Sequence, residues 1–178
     1  MFDPSIILEA EEFVRDDFNS SRPLGQGLYK TVYLLPSGRA VVKVIRDDEW
    51  GGADRELLME YEWALYVYLN KKGLGSSLAT SLFCEDPRKG MYIIQELVTP
   101  AADLENRWVD DSIIEELEFY GVTDLHLENY GMTPDERTVA IDWGYIPSVD
   151  WGSDEESYER MSRIYENVQT GNRPLAHI

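Results

Sequence analysis

The chain has one cysteine, Cys84, and two histidines, His126 and His177. A single thiol cannot close an intramolecular disulfide, and these three residues are too few for a structural zinc site. Basic residues are also scarce. Sixteen Lys and Arg face 34 Asp and Glu, a formal net charge of -18. Such a surface repels a nucleic-acid backbone or an anionic membrane. Two roles for the acidity stay open: solubility alone, or attraction of a basic protein partner. Long apolar runs are missing. The acidic stretch MFDPSIILEAEEFVRDDF holds only three consecutive apolar residues, so neither a signal peptide nor a membrane span is expected there. A cytoplasmic location is the expectation.

What is present argues for folding. The 178 residues suffice for one domain or two small lobes, and 43% hydrophobic with 12% aromatic residues exceeds a disordered acidic tail. Asp3-Pro4 reads as an N-cap with proline at the first helical position, and Ile6, Ile7, Ala10, Phe13 and Val14 predict an amphipathic helix over 4–18. Residues 29–35 and 40–46 read as strands around the turn PSGR. Leu58, Tyr61, Leu65 and Leu69 form one stripe of a helix over 54–72, stopped at Gly73. SLATSLFCE and MYIIQELV read as strands around DPRKG, 111–119 as a short helix, and NYGMT and TVAID as a small hairpin around PDER. A last helix is expected over 154–168. Strands that follow one another in sequence favour an antiparallel α+β fold.

The stretch TDLHLENYGMTPDERTVAIDWGY, Thr123 to Tyr145, concentrates the chemistry. Asn129 leads into the first strand of the small hairpin and Asp142 ends the second. A hairpin brings such ends together, with Asp124 one loop away. Two carboxylates and an amide oxygen make a hard oxygen site. That suits Mg²⁺, which takes few carboxylates and completes its shell with phosphates and water. PLGQGLYKTVY puts Gly25 and Gly27 at the entry to a strand, where backbone N–H groups can approach a phosphate. Lys43 lies inside the apolar strand AVVKVI, ahead of a glutamate-rich helix.

In this order the pieces resemble the protein-kinase-like superfamily, which includes protein kinases and small-molecule kinases such as the aminoglycoside and choline kinases. LGQGLYKTVY resembles the Gly-rich loop, VVKV the lysine strand, TDLHLEN the catalytic loop from aspartate to asparagine, and DWG the Asp-Phe-Gly motif. The resemblance covers roughly residues 20–146. It implies a single two-lobed domain with an antiparallel N-lobe sheet and a much reduced C-lobe. Residues 1–98 would be the N-lobe and hinge, and 99–178 the C-lobe.

It also implies roles. Gly25 and Gly27 would cover the phosphates of ATP, and Lys43 would pair with them. The helix partner of Lys43 would be Glu62, with Glu60 and Glu56 as alternatives. Gln95, Glu96, Leu97 and Val98 would form the hinge, with the Glu96 carbonyl and Val98 N–H reading adenine under Val32 and Val41. Asp124 would orient or deprotonate an acceptor hydroxyl, and Asn129 and Asp142 would hold Mg²⁺.

The sequence departs from the pattern in places. Lys30 replaces the third loop glycine and Val122-Thr123 the usual His-Arg, so control by a phosphorylated activation loop is not expected. His126 stands where protein kinases carry lysine, and Gly131 where a large apolar residue lies under adenine. Only 34 residues follow Gly144, too few for a protein kinase's helical substrate lobe. Compact, divergent chains of this sort resemble those of phages and mobile elements. The first expectation is an ATP- and Mg²⁺-dependent phosphotransferase acting on a protein Ser/Thr hydroxyl. The second is a pseudokinase-like acidic binding or inhibitor module, and the third a small-molecule kinase.

Overall fold

Helix α1, Pro4–Arg15, starts where Asp3 accepts a hydrogen bond from the Ser5 N–H at 2.8 Å and Pro4 supplies a first turn that needs no donor. In this computed structural model the described residues are 2–27, 29–46, 52–104, 110–119, 122 and 125–143, those at 52–58 and 111 without their side chains. The helix expected over 154–168 lies outside them. Ile6, Ala10, Phe13 and Val14 are the buried face of α1. The helix stops three residues before the predicted end at 18, because Asp17, Phe18, Asn19 and Ser20 all take positive φ (56°, 61°, 47° and 57°). Left-handed backbone costs about 1–2 kcal/mol per residue. Tertiary contacts hold it here. Phe18 stacks on Tyr33 with ring centroids 4.5 Å apart, Phe13 meets both rings edge-on, and Lys89 pairs with Asp17 and lies over the Phe18 ring.

Five antiparallel strands follow: β1 Gly25–Gln26, β2 Lys30–Leu34, β3 Ala40–Ile45, β4 Ser81–Asp86 and β5 Gly90–Glu96. Their order across the sheet is β1-β2-β3-β5-β4. The predicted strands and the PSGR turn are found; β2 and β3 are trimmed by a residue or two, while β4 starts four residues later and ends one later than predicted, and β5 starts one earlier and ends two earlier. The short β1 is an addition. Alternate residues face opposite sides of a sheet. Ala40, Val42, Val44, Cys84, Tyr92 and Ile94 pack with Ile6, Ala10, Phe13 and Val14 of α1 in one core. Val41, Lys43, Ile93, Gln95 and Phe83 therefore occupy the other face, and they too are buried. Burial on both faces explains why β3 is apolar at every position but Lys43 rather than alternating.

Among the described residues, those up to 56 with 80–97 form one unit, and 57–79 with 98–143 form a second. Helix α2, Gly52–Lys71, begins in the first and continues in the second. It ends as the sequence predicts. Gly73 has φ +87°, the Gly73 N–H donates to Asn70 O, and the Leu74 N–H donates to Leu69 O. This paired closure needs a left-handed residue after the last turn. The stripe is wider than expected, since Met59, Trp63 and Ala64 are buried beside Tyr61, Leu65 and Leu69.

The second unit also holds β6 Thr99–Pro100, α3 Asp111–Phe119, β7 Tyr130–Met132 and β8 Thr138–Ala140. The β7–β8 hairpin and α3 stand where predicted. Strand β6, which pairs with β7, has no signal in the sequence. The protein is α+β with antiparallel sheets. Among the described residues no helix is long and apolar enough to cross a membrane.

Candidate functional site

Register in the large sheet sets four of the predicted residues on one face. Gly25 lies opposite Val32, Val32 opposite Lys43, and Lys43 opposite Ile93. Directly paired residues of antiparallel strands share a face. Val41, two residues before Lys43, shares it too, between Leu34 and Gln95. This is the face turned away from α1. Lys43 is only 3% exposed, and an ammonium at that depth requires a compensating acceptor or anion.

The turn between β1 and β2 is tied down by backbone and by one side chain. The Gly27 N–H donates to Lys30 O at 2.9 Å, and Arg46 Nη1 donates to Gly27 O at 2.9 Å. Arg46 carries no motif signal in the sequence. Neither Gly25 nor Gly27 has a left-handed backbone. Among the described residues, a Cβ at Gly25 would meet nothing within 4 Å, and one at Gly27 only Lys30 O at 3.8 Å. Packing among those residues requires neither glycine.

At the end of β5, the Gln95 amide donates to Ser81 Oγ at 3.0 Å. Glu96 closes on Thr80 twice, its N–H donating to Thr80 O and its carboxylate accepting from the Thr80 N–H at 2.6 Å. The chain leaves the first unit after Leu97, and Val98, buried, opens the second.

In the second unit the hairpin brings Asn129 and Asp142 together. The Asn129 carbonyl accepts from the Ile141 N–H at 2.8 Å and from the Asp142 N–H at 3.2 Å. Asp124 lies outside the described residues, as does Gly144. Of the helix acids, Glu62 is buried, Glu60 is half-buried, and the Glu56 side chain is outside the described residues.

Trp143 does more than fill a phenylalanine's place. It is fully buried, it stacks on Tyr66 of α2 with centroids 5.2 Å apart, and its Nε1–H donates to the Glu62 carbonyl at 3.2 Å. The segment after β8 that bears Asp142, which the sequence predicts at the strand's end, is thereby bound to the helical turn bearing Glu62. The signal was in the sequence, since an indole, unlike a phenyl ring, brings an N–H to that position.

Gly131 has a structural explanation. A Cβ there would collide with the Thr99 carbonyl oxygen and lie 2.9 Å from Pro100 Cα. The approach of β6 excludes the large apolar residue that the resemblance implies.

The residues present can be weighed for a metal. Among the described residues, no group of three or more His, Cys, Asp or Glu could hold an ion. One carboxylate, Asp142, beside one amide, Asn129, fits an ion that shares its shell with phosphates and water. It does not fit a cage made of protein alone.

No family model matches the chain, and no curated protein matches it. Solved structures do. The chain is similar to the Rio2 kinase–ADP/Mg²⁺–phosphoaspartate complex from Chaetomium thermophilum, with 16% identity and a TM-score of 0.44 over 96% of this chain. It spans 62% of the length of that kinase. It is also similar to the apo GRMZM2G135359 pseudokinase, with 14% identity and a TM-score of 0.45, over 94% of this chain and 68% of the other.

Proposed function

We propose that the chain is a kinase-like nucleotide-binding protein that transfers the γ-phosphoryl group of ATP to a hydroxyl. In this reading residues up to 98 act as the N-lobe and hinge and those from 99 as a reduced C-lobe. The observation that carries it is Gly25, in register with Val32 and through it with buried Lys43, followed in the turn by Gly27, with no close packing among the described residues that requires glycine at either place. Backbone without Cβ atoms lets N–H groups reach phosphate oxygens, and a lysine adds a fixed positive charge. Val32 and Val41 supply apolar cover for a purine, with the Glu96 carbonyl and Val98 N–H for its edge. Glu62 holds Lys43 in place. Asn129 and Asp142 hold Mg²⁺, which when bound neutralises charge on the phosphates. Asp124 aligns the acceptor hydroxyl and takes its proton. The acceptor class is a protein Ser/Thr hydroxyl, with a small-molecule alcohol second.

One experiment tests both binding and chemistry. ATP with Mg²⁺ should raise the melting temperature by mass action on the folded state, and Asp142→Asn should remove the Mg²⁺-dependent part. Asp124→Asn should keep the shift yet lower phosphoryl transfer by roughly 10²-fold or more, the scale of a general base. No shift at millimolar ATP would refute the nucleotide reading. A second reading, an acidic binding module for a basic protein, is favoured by the exposed acids Glu115, Glu116 and Glu118 of α3. Under it, partner binding weakens steeply with salt and survives Asp124→Asn.

A further inference from the structure

A cavity of about 420 Å³ lies wholly within the second unit, where the turn Gly75–Ser77, the start of α3 and the closed end of the β7–β8 hairpin meet. Its volume is in the range of sites that take a small ligand. It stands apart from the candidate site. Asn129 and Asp142 lie at the open end of the same hairpin, beyond the Tyr130–Ala140 pair, whereas the cavity begins at Met132 and Thr138, next to the turn.

Two buried residues with hydroxyls line it. Ser77 is 7% exposed, and its Oγ has no hydrogen-bond partner among the described residues. Thr138 is equally buried. Its Oγ1 accepts from the Asp110 N–H at 3.2 Å, and its own O–H has no acceptor among those residues. A buried hydroxyl that keeps its hydrogen unshared forfeits the bond it makes in water. Each hydroxyl therefore has a donor to give, and an occupant that brings an acceptor oxygen is favoured.

Charge on the lining sets the sign of the occupant. Arg137 is already engaged, its Nε donating to Asp135 Oδ2 at 3.0 Å and its Nη1 to Ser76 O at 3.4 Å. Asp110 caps α3, its Oδ1 accepting from the Ser112 N–H at 3.1 Å and from the Ser112 hydroxyl at 2.6 Å. Glu136 is exposed on a left-handed turn residue, φ 65°, and its carboxylate has no partner among the described residues. Two carboxylates thus stand without a counter-ion beside one guanidinium that already has Asp135. Such a lining repels phosphate and favours a cation. Ile113 and Met132, both half-buried, add hydrocarbon. The matching occupant combines a neutral acceptor oxygen, an apolar stem and a cationic end. A lysine residue within a polypeptide has all three, as backbone carbonyl, four-carbon stem and ammonium.

We propose that this cavity binds a basic residue of a partner polypeptide, its backbone carbonyl accepting from Ser77 and Thr138 and its cationic end beside Glu136 and Asp110. Such binding is independent of the nucleotide reading. The test titrates the full nitrogen-15-labelled chain with N-acetyl-lysine methylamide and follows the backbone amide signals. Saturable shifts are expected at Ser77, Ile113 and Thr138. N-acetyl-norleucine methylamide keeps the stem and carbonyls without the charge, and should bind about fivefold more weakly, the upper scale of an exposed ion pair. Glu136→Gln, an exposed change that leaves the fold alone, should bring the lysine probe to the norleucine level. Ser77→Ala should weaken both probes alike, by about fivefold, the scale of one hydrogen bond. Inorganic phosphate should give no saturable shift at these residues. The proposal is overturned if the native chain shows no saturable shift at high millimolar lysine probe, if the two probes bind equally, if neither variant changes binding, or if phosphate occupies the cavity. Tighter binding of free lysine than of the blocked residue would make the occupant a free amino acid and overturn the polypeptide partner.

Discussion

Alanine at Gly131 and alanine at Gly25 should behave in opposite ways, and the contrast separates a glycine the fold needs from one it does not. At Gly131 the new Cβ meets the Thr99 carbonyl oxygen and sits 2.9 Å from Pro100 Cα. Both obstacles are main chain, so no side chain can swing aside. Strand β6 must move off β7, giving up the pairing of Thr99 with Met132 and Pro100 with Gly131. Overpacking of this kind costs about 1–3 kcal/mol. The ladder itself is thin, because Pro100 has no N–H to give. Reduced freedom of the unfolded chain returns about 0.4–1 kcal/mol. The net expectation for Gly131→Ala is a loss of about 1–2 kcal/mol, the steric cost less the unfolded-chain gain. At Gly25 the Cβ enters open space, so only the unfolded-chain term remains and stability should hold or rise by about 0.5 kcal/mol. Urea unfolding reads both, as a shift of the midpoint at unchanged slope. The functional half is the reverse: Gly25→Ala should weaken ADP binding although the fold is intact. A Gly131→Ala chain as stable as the native one would refute the close approach of β6. A destabilised Gly25→Ala chain would make that glycine structural and remove the observation on which the nucleotide reading rests.

Two further predictions concern buried groups. Trp143→Phe keeps a ring against Tyr66 but loses the N–H bond to the Glu62 carbonyl and part of the buried volume, so it should cost about 2 kcal/mol; an unchanged urea midpoint would show that the bond contributes nothing. Burial, with a smaller contribution from Glu11 and against a hydrogen bond with Tyr92, pushes the Cys84 thiol up to about 12 from 9.0. The folded state therefore keeps a proton that the unfolded chain sheds. This stabilisation is complete below pH 9.0 and is lost as pH rises towards 12. Unfolding measured from neutral to alkaline pH should fall less steeply for Cys84→Ala than for the native chain, and parallel curves would refute the assignment.

Much of the fold was legible because its signals are local. Asp3-Pro4, PSGR and Gly73 act on backbone groups a few residues away, so the start of α1, the β2–β3 turn and the end of α2 could be read without knowing what packs on them. Apolar periodicity did the same for α3, and the small hairpin told that Asn129 and Asp142 end side by side. The end of α1 was not legible. Four left-handed residues are tolerated there only because Phe18 reaches Tyr33 and Lys89 reaches Asp17, contacts between segments far apart in the chain. Strand β6 was equally hidden, since two residues carry no period.

At the candidate site the sequence by itself determined which chemical groups are present and in what order. Spacing alone placed two glycines before a lysine strand and an amide and a carboxylate at the two ends of one hairpin. Tertiary structure decided what each group meets. Strand register put Gly25, Val32, Val41 and Lys43 on one face, and the approach of Thr99 required glycine at 131. Folding bound Trp143 to a carbonyl 81 residues away. Such contacts depend on distances through space, and a distance through space is fixed only when the strands and helices between the two residues have packed.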